Sequence, residues 1–145
     1  MKISKILYLL FISITYSSIV GCSSNDEKDT ETTISLSRNF GIWEGTGVQV
    51  GNFSWTIKIT LNKNEQFIEY PSLNCGGFLT LLDQTENILL FRETINKNTA
   101  TCADQGFIEL INTSATTMDY KYYWPNSNNT KGDLAATGSL TKKNG

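Results

Sequence analysis

The sequence contains no histidine, and this absence excludes more chemistry than any other feature of its composition. Histidine is the commonest general base and the commonest metal ligand, so a Ser-His dyad is excluded, together with most metal sites. The glutamates and aspartates that remain show no spacing motif for a catalytic acid pair. We therefore expect no catalytic residues, no metal and no cofactor, and the protein is not predicted to be an enzyme.

A basic surface is also missing, since 12 Lys and Arg stand against 14 Asp and Glu. Two of the lysines lie in residues 1–21, so the rest of the chain carries 10 basic and 14 acidic residues, a net charge of −4. Nucleic-acid-binding domains need a basic patch or stripe. We therefore expect no nucleic acid among the partners.

Only one long apolar run is present, Ile6–Val20, and it follows Lys2 and Lys5. It is shorter than the roughly 20 residues that a transmembrane helix needs, and it suits a secretory signal segment. The run ends in IVGC, which resembles the lipobox of bacterial lipoproteins, where a signal peptidase cuts before the cysteine and the thiol becomes acylated. The resemblance implies that residues 1–21 are a signal peptide and that Cys22 carries the lipid that anchors the protein in a membrane.

The next segment, SSNDEKDTETTISLS, is polar and acidic and shows no apolar periodicity. Such a stretch cannot bury enough surface to offset the entropy of ordering, so residues 22–39 are predicted to be a flexible tether. Ser23 resembles the pattern that directs lipoproteins to the outer membrane, and Asp26 with Glu27 resembles the surface-export signals of some Bacteroidetes lipoproteins. These resemblances imply an outer-membrane lipoprotein that faces the periplasm or the cell surface.

Two further cysteines, Cys75 and Cys102, form an even pair in a compartment that is predicted to be oxidising. A disulfide is the expected state of such a pair. A zinc site is not expected, because two cysteines without histidine leave the usual tetrahedral ligand set incomplete.

Strict alternation of apolar and polar residues predicts strands in the remaining part, residues 40–145, which has the size of one domain. The clearest cases are FSWTIKITL and MDYKYYW, and no stretch of this part shows a sustained helical period. Other strand-like runs, separated by turn-forming residues, are Gly41–Val50, Glu65–Tyr70, Gly76–Leu82, Asn87–Ile95, Gly106–Ile111 and Leu134–Leu140. Eight strands with short links predict an all-β fold, an eight-stranded antiparallel up-and-down barrel, with a β-sandwich as the alternative.

NFGIWEG in the first strand resembles the Gly-x-Trp start of lipocalins and related calycin barrels, whose tryptophan packs across the closed end. Those families cover the tryptophan with an arginine late in the last strand, where this sequence offers only Lys142 and Lys143. Separately, YPSLNCGG, Glu93, the second cysteine and YYW are similar to a small uncharacterised bacterial exported domain. That similarity supports one folded unit and implies no activity.

Glu93 lies in LLFRETI and shares its strand face with Leu89, Phe91 and Ile95. If that face points inward, Glu93 is a buried acid that anchors a ligand or pairs with another glutamate. The structural alternatives are a buried carboxylate paired with Lys, Arg or Tyr, or a register that leaves it in solvent, and one of these is expected.

Large aromatic residues are predicted to converge inside the barrel. An eight-stranded barrel is either filled by side chains or holds one small ligand. With so short a chain, we expect filling, although a polar ligand would give the tyrosine hydroxyls partners. The aromatic residues are Phe53, Trp55, Tyr120, Tyr122 and Trp124.

The connections of an up-and-down barrel alternate between its two ends. Those after strands three, five and seven should share the end opposite the tether, where both cysteines also fall, and we predict recognition there. The residues proposed for it are Tyr70, Leu73, Asn74, Trp124, Asn126 and Asn128. The predicted function is that of a membrane-tethered accessory lipoprotein that recognises a protein or glycan, and the alternative is a lipocalin-like carrier of a small hydrophobic ligand.

Overall fold

A computed structural model describes residues 36–144, in which eight antiparallel strands close into one barrel. Each strand pairs with its neighbours in sequence, and β1 pairs with β8. The strands are β1 Gly41–Gln49, β2 Ser54–Leu61, β3 Gln66–Tyr70, β4 Cys75–Gln84, β5 Ile88–Lys97, β6 Phe107–Asn112, β7 Thr117–Pro125 and β8 Lys131–Lys143. The predicted eight-stranded up-and-down barrel is confirmed. The predicted signal peptide, Cys22 and most of the predicted tether lie outside the described residues.

The alternating sequence explains which side chains form the core. In β2, Ile57, Ile59 and Leu61 are buried, whereas Lys58 and Thr60 between them are only half-buried. Successive side chains of a strand point to opposite faces, so each apolar series faces the interior. β8 is longer than predicted, because it pairs with β1 along one edge and with β7 along the other.

One end of the barrel is closed around Trp43, which is 1% exposed. Its indole Nε1 donates a hydrogen bond to the carbonyl of Asn39, 2.8 Å away, and Lys142 Nζ lies 5.3 Å from its ring centroid. The guanidinium of Arg38 donates to the carbonyl of Glu86 in the β4–β5 turn, at 2.8 Å. Lys142 therefore supplies a cation over this tryptophan, and residues 36–39 cover the closed end.

The links after β1, β3, β5 and β7 lie at the other end, which we call the loop-rich end. A short 3-10 helix, Pro71–Leu73, belongs to the β3–β4 link. Cys75 and Cys102 form the predicted disulfide, with their Cα atoms 6.3 Å apart. It joins the start of β4 to the β5–β6 loop, so the loop is held across the intervening strand, as expected. No helix within residues 36–144 is long and apolar enough to cross a bilayer.

Candidate functional site

A cavity of about 220 Å³ lies inside the loop-rich end of the barrel. The barrel interior was expected to be filled by side chains. This expectation is correct for the closed half and wrong for the loop-rich half, because small residues face the interior there. Ala135 and Ala136 both line it, since the β7–β8 register shifts between Tyr122 and Tyr123 and turns two consecutive alanines inward. The other lining residues are Gln49, Phe53, Trp55, Tyr70, Leu73, Glu93, Thr101, Cys102, Ala103, Tyr122 and Trp124.

Aromatic rings form much of the cavity wall. The centroids of Phe53 and Trp55 are 5.8 Å apart, and the rings of Tyr122 and Trp124 meet edge to face at 5.3 Å. Phe53 and Trp124 are 55% and 41% exposed, so these two rings stand at the mouth rather than in the core that the sequence predicted. Phe53 precedes β2 and Trp124 lies near the end of β7. Both residues therefore have the same parity as the inward-facing residues of their strands, but they lie closer to the mouth than those residues do.

Gly106 allows the β5–β6 loop to approach the wall closely. A Cβ atom at this position would lie 2.2 Å from ring atoms of Tyr122. The backbone carbonyl of Gly106 also accepts a hydrogen bond from the N–H of Glu93, at 2.9 Å. The absence of a side chain at Gly106 therefore places Tyr122 and Glu93 in one site.

Glu93 lies at the floor of the cavity and is fully buried. The hydroxyl of Tyr70 donates to its Oε1 at 2.5 Å, and the hydroxyl of Tyr120 lies 3.3 Å from that of Tyr70. Because the proton of Tyr70 goes to Glu93, Tyr120 donates to Tyr70. The expected pairing of a buried Glu93 with a tyrosine is thus present.

Burial raises the pKa of Glu93 to about 8. The hydrogen bond from Tyr70 opposes this shift, and the nearby Asp104 carboxylate adds to it. Asp104 itself accepts a hydrogen bond from the backbone N–H of Ile95, which lowers its pKa. Burial also raises the pKa of Tyr70 and Tyr120 well above the usual value, so both hydroxyls keep their protons.

Three buried polar atoms of the cavity-lining residues have no hydrogen-bond partner: Glu93 Oε2, Tyr122 Oη and Trp55 Nε1. Within residues 36–144, only one other buried side-chain atom shares this condition, Gln84 Oε1, and Gln84 does not line the cavity. Buried polar groups in folded proteins nearly always have partners. Ordered water or a bound molecule would supply them here.

The residues predicted for recognition divide into two groups. Tyr70, Leu73 and Trp124 line the cavity. Asn74, Asn126 and Asn128 lie outside it: Asn74 adopts φ 53° after the 3-10 helix, and Asn126 Oδ1 accepts the backbone N–H groups of Asn128 and Thr130. These asparagines build the turns of the loop-rich end, and their role in recognition stays a prediction.

Sequence reasoning singled out Glu93, Trp55 and Tyr122 but did not join them to the predicted site. Their inward parity and their positions near the loop-rich ends of β5, β2 and β7 were the available signal. No comparable signal marked Ala135 and Ala136, because their exposure to the cavity depends on a register shift. No group of three or more metal-ligating side chains occurs in the described part of the chain.

Comparisons with known proteins bear on the fold alone. No family model matches the chain, and no curated protein matches it. Among solved structures, the chain is similar to a redesigned β-barrel, with a TM-score of 0.54 and 12% sequence identity over 76% of this chain and 96% of that one. The similarity supports the barrel architecture. The resemblances drawn from the sequence motifs stay predictions.

Proposed function

We propose that this protein binds a small molecule in the cavity at the loop-rich end, in the manner of a lipocalin-like carrier or receptor. The observation that carries the proposal is the combination of aromatic walls with three unpartnered polar atoms in one cavity. Small-molecule sites are typically apolar clefts with a few polar groups that orient the ligand.

The size of the cavity limits the ligand. Its volume of about 220 Å³ is below the ~300–1,000 Å³ that is usual for drug-sized ligands. The closed half offers no further room, because Trp43, Ile59 and Leu140 are at most 1% exposed there. The ligand is therefore a small molecule whose outer end reaches the mouth between Phe53 and Trp124.

The proposed anchor gives the site an orientation. We place the protein in the cell envelope, tethered to the outer membrane through a lipid on Cys22. Residues 36–40 lead into β1 at the closed end, as the contacts of Arg38 and Asn39 show. A tether that joins there leaves the cavity mouth on the side of the barrel away from the lipid.

Recognition of a protein or glycan by the same end is a second candidate. Several apolar side chains around the mouth are exposed: Val50 at 87%, Phe53 at 55%, Leu134 at 47% and Trp124 at 41%. Exposed apolar groups that gather in one region mark interaction surfaces. Such a partner would contact the rim rather than the cavity floor.

Filling the cavity should weaken ligand binding without unfolding the protein. Ala136→Leu places a branched side chain in the open space, so we expect affinity for a neutral fluorophore such as N-phenyl-1-naphthylamine to fall by about tenfold or more, equivalent to about 1.4 kcal/mol. Fluorescence titration measures this loss, and thermal melting checks that the fold persists. The matched control is Thr137→Leu, one residue along β8 and exposed.

Equal binding by wild type and Ala136→Leu, or no binding by wild type, would contradict the cavity proposal. Binding of a partner to the rim would persist in the Ala136→Leu variant, because Ala136 is only 2% exposed. The same variant therefore separates the two candidate functions.

The anchor has its own test. Cys22→Ser removes the thiol that carries the lipid, so we expect the variant to accumulate as an uncleaved precursor that takes up no labelled fatty acid. Metabolic labelling followed by gel electrophoresis reads both effects. The double variant Cys75→Ser, Cys102→Ser serves as the control and should label normally. A Cys22→Ser protein that still incorporates label, or matures at the same site, would refute the assignment.

A further inference from the structure

Glu93 is buried in the barrel and forms no ion pair with a lysine or arginine of the described residues. Within residues 36–144, the ion pairs of glutamates with lysine join Glu44 to Lys143, Glu69 to Lys58, and Glu109 to both Lys121 and Lys131, at 2.7–3.7 Å. These three paired glutamates are all more exposed than Glu93, which has no counter-charge although burial makes an unpaired charge most costly there.

The nearest cation along the chain, Arg92, is directed away from Glu93. It stacks on the ring of Phe107 with 4.4 Å to the centroid, and it donates hydrogen bonds to Gln105 and Asn129 on the surrounding loops. Arg92 therefore joins two loops on the outer face of the barrel. The Glu93 carboxyl in the interior has no cationic partner among the described residues.

The groups that face Glu93 supply a hydrogen bond and negative potential but no positive charge. Tyr70 on β3 donates to Oε1 at 2.5 Å, and the hydroxyl of Tyr120 on β7 lies 3.3 Å from that of Tyr70. Asp104 in the β5–β6 loop adds negative potential, and Tyr122 on β7 has a free hydroxyl. Oε2 of Glu93, which lines the cavity, has no hydrogen-bond partner.

The walls of the cavity suit a cationic organic ligand. The faces of tryptophan, tyrosine and phenylalanine rings attract organic cations, most strongly where water is excluded. Trp55 and Tyr122 lie beside the floor, with Phe53 and Trp124 nearer the mouth. The hydroxyl of Tyr122, another lining residue, also has no hydrogen-bond partner.

We propose that the ligand is a small organic amine in its protonated form, whose ammonium group pairs with Glu93 Oε2 and whose apolar body lies against the indole and phenyl rings. This inference rests on the proposed function and names the ligand class for that site. A neutral ligand would instead accept a hydrogen bond from a protonated Glu93, and the two cases differ in their proton balance.

Proton release distinguishes the two cases. With the pKa of Glu93 near 8, most of the carboxyl groups are protonated at pH 7. An ammonium ion needs the ionised form, so binding at pH 7 should release about 0.9 proton per site, and the amine affinity should rise with pH towards 8. A neutral ligand that accepts a hydrogen bond from the acid should release none and bind more weakly as pH rises.

Isothermal titration calorimetry with matched probes tests the proposal. The pairs are 2-phenylethylamine with 2-phenylethanol, and hexylamine with 1-hexanol, which differ only in the terminal group. We expect each amine to bind at least about tenfold more tightly than its alcohol at pH 8, with proton release at pH 7 measured in buffers of different ionisation enthalpy. Glu93→Gln should abolish the preference, and Glu69→Gln, a carboxylate on the outside of β3, should retain it.

Each outcome decides one of the two proposals. Alcohols that bind as tightly as amines, amine binding without proton release, or an amine preference that persists in Glu93→Gln would overturn the amine assignment and leave the cavity proposal standing. Displacement of N-phenyl-1-naphthylamine by neither series would also overturn it. If the fluorophore and both series fail to bind, the proposed function itself is wrong.

Discussion

The free energy of unfolding should fall as pH rises from 4.5 to about 8, because Glu93 is protonated in the folded barrel and ionised in the unfolded chain across that window. A group whose pKa is raised on folding binds more protons in the folded state, so stability declines with increasing pH between the two values. The separation of the two pKa values corresponds to a loss on the order of 5 kcal/mol. This is a large share of the ~5–15 kcal/mol by which domains are stable.

Urea denaturation at a series of pH values measures the effect. Glu93→Gln carries no titrating group and should flatten the curve between pH 4.5 and 8, whereas Glu69→Gln should keep the wild-type slope. Asp104 and Glu109 have lowered pKa values, so their contributions are lost as pH falls, below this window. Parallel curves for wild type and Glu93→Gln would show that Glu93 does not titrate with a raised pKa.

Loss of the disulfide should destabilise the protein by a similar amount. Cys75 and Cys102 are 27 positions apart, and the chain-entropy model gives about 3–4 kcal/mol for a loop of this length. Cys75→Ala, Cys102→Ala and the double variant should lose nearly equal stability, because each removes the same cross-link. Cys102 also lines the cavity, so the loop that carries it should become less well positioned for the ligand.

Chemical denaturation with and without a thiol reductant checks this expectation. Reduced wild type should resemble the double variant, and reductant should have no further effect on the variants. A neutral Cys75→Ala beside a severe Cys102→Ala would show that the two residues act separately. The comparison is clean because the described residues contain no other cysteine.

Burial of the Glu93 carboxyl without a cationic partner lowers the stability of the folded barrel. Replacing it with a neutral residue should stabilise the barrel at neutral pH, and the same change should remove the proposed amine site. Strongly perturbed carboxylates in clefts are found at functional sites more often than chance allows. The stability and binding tests on Glu93→Gln therefore address one question from two directions.

The strands and the ends of the barrel were predictable because they depend on local patterns. Alternation in FSWTIKITL assigns Ile57 and Ile59 to one face whatever the surrounding fold. Short links between consecutive strands leave an up-and-down arrangement, and this arrangement brings Cys75 and Cys102 to one end. Trp43 and Lys142 meet for the same reason, since the first and last strands of a closed barrel are neighbours.

By itself, the sequence determined an all-β chain of short antiparallel strands and placed both cysteines at one end; it favoured a barrel and left a β-sandwich as the alternative, and the structure shows the barrel and the disulfide. Only the tertiary structure decided that this end is hollow and that Glu93 lies in it with a free oxygen. The physical reason is that the position of a residue in an alternating strand determines which face of the sheet it occupies. It does not determine how deep in the barrel the side chain lies, or which strand supplies its hydrogen-bonding or charged partner. The register shift that turns Ala135 and Ala136 inward, and the lack of an ion pair to Glu93 among the described residues, depend on strands that closure brings together.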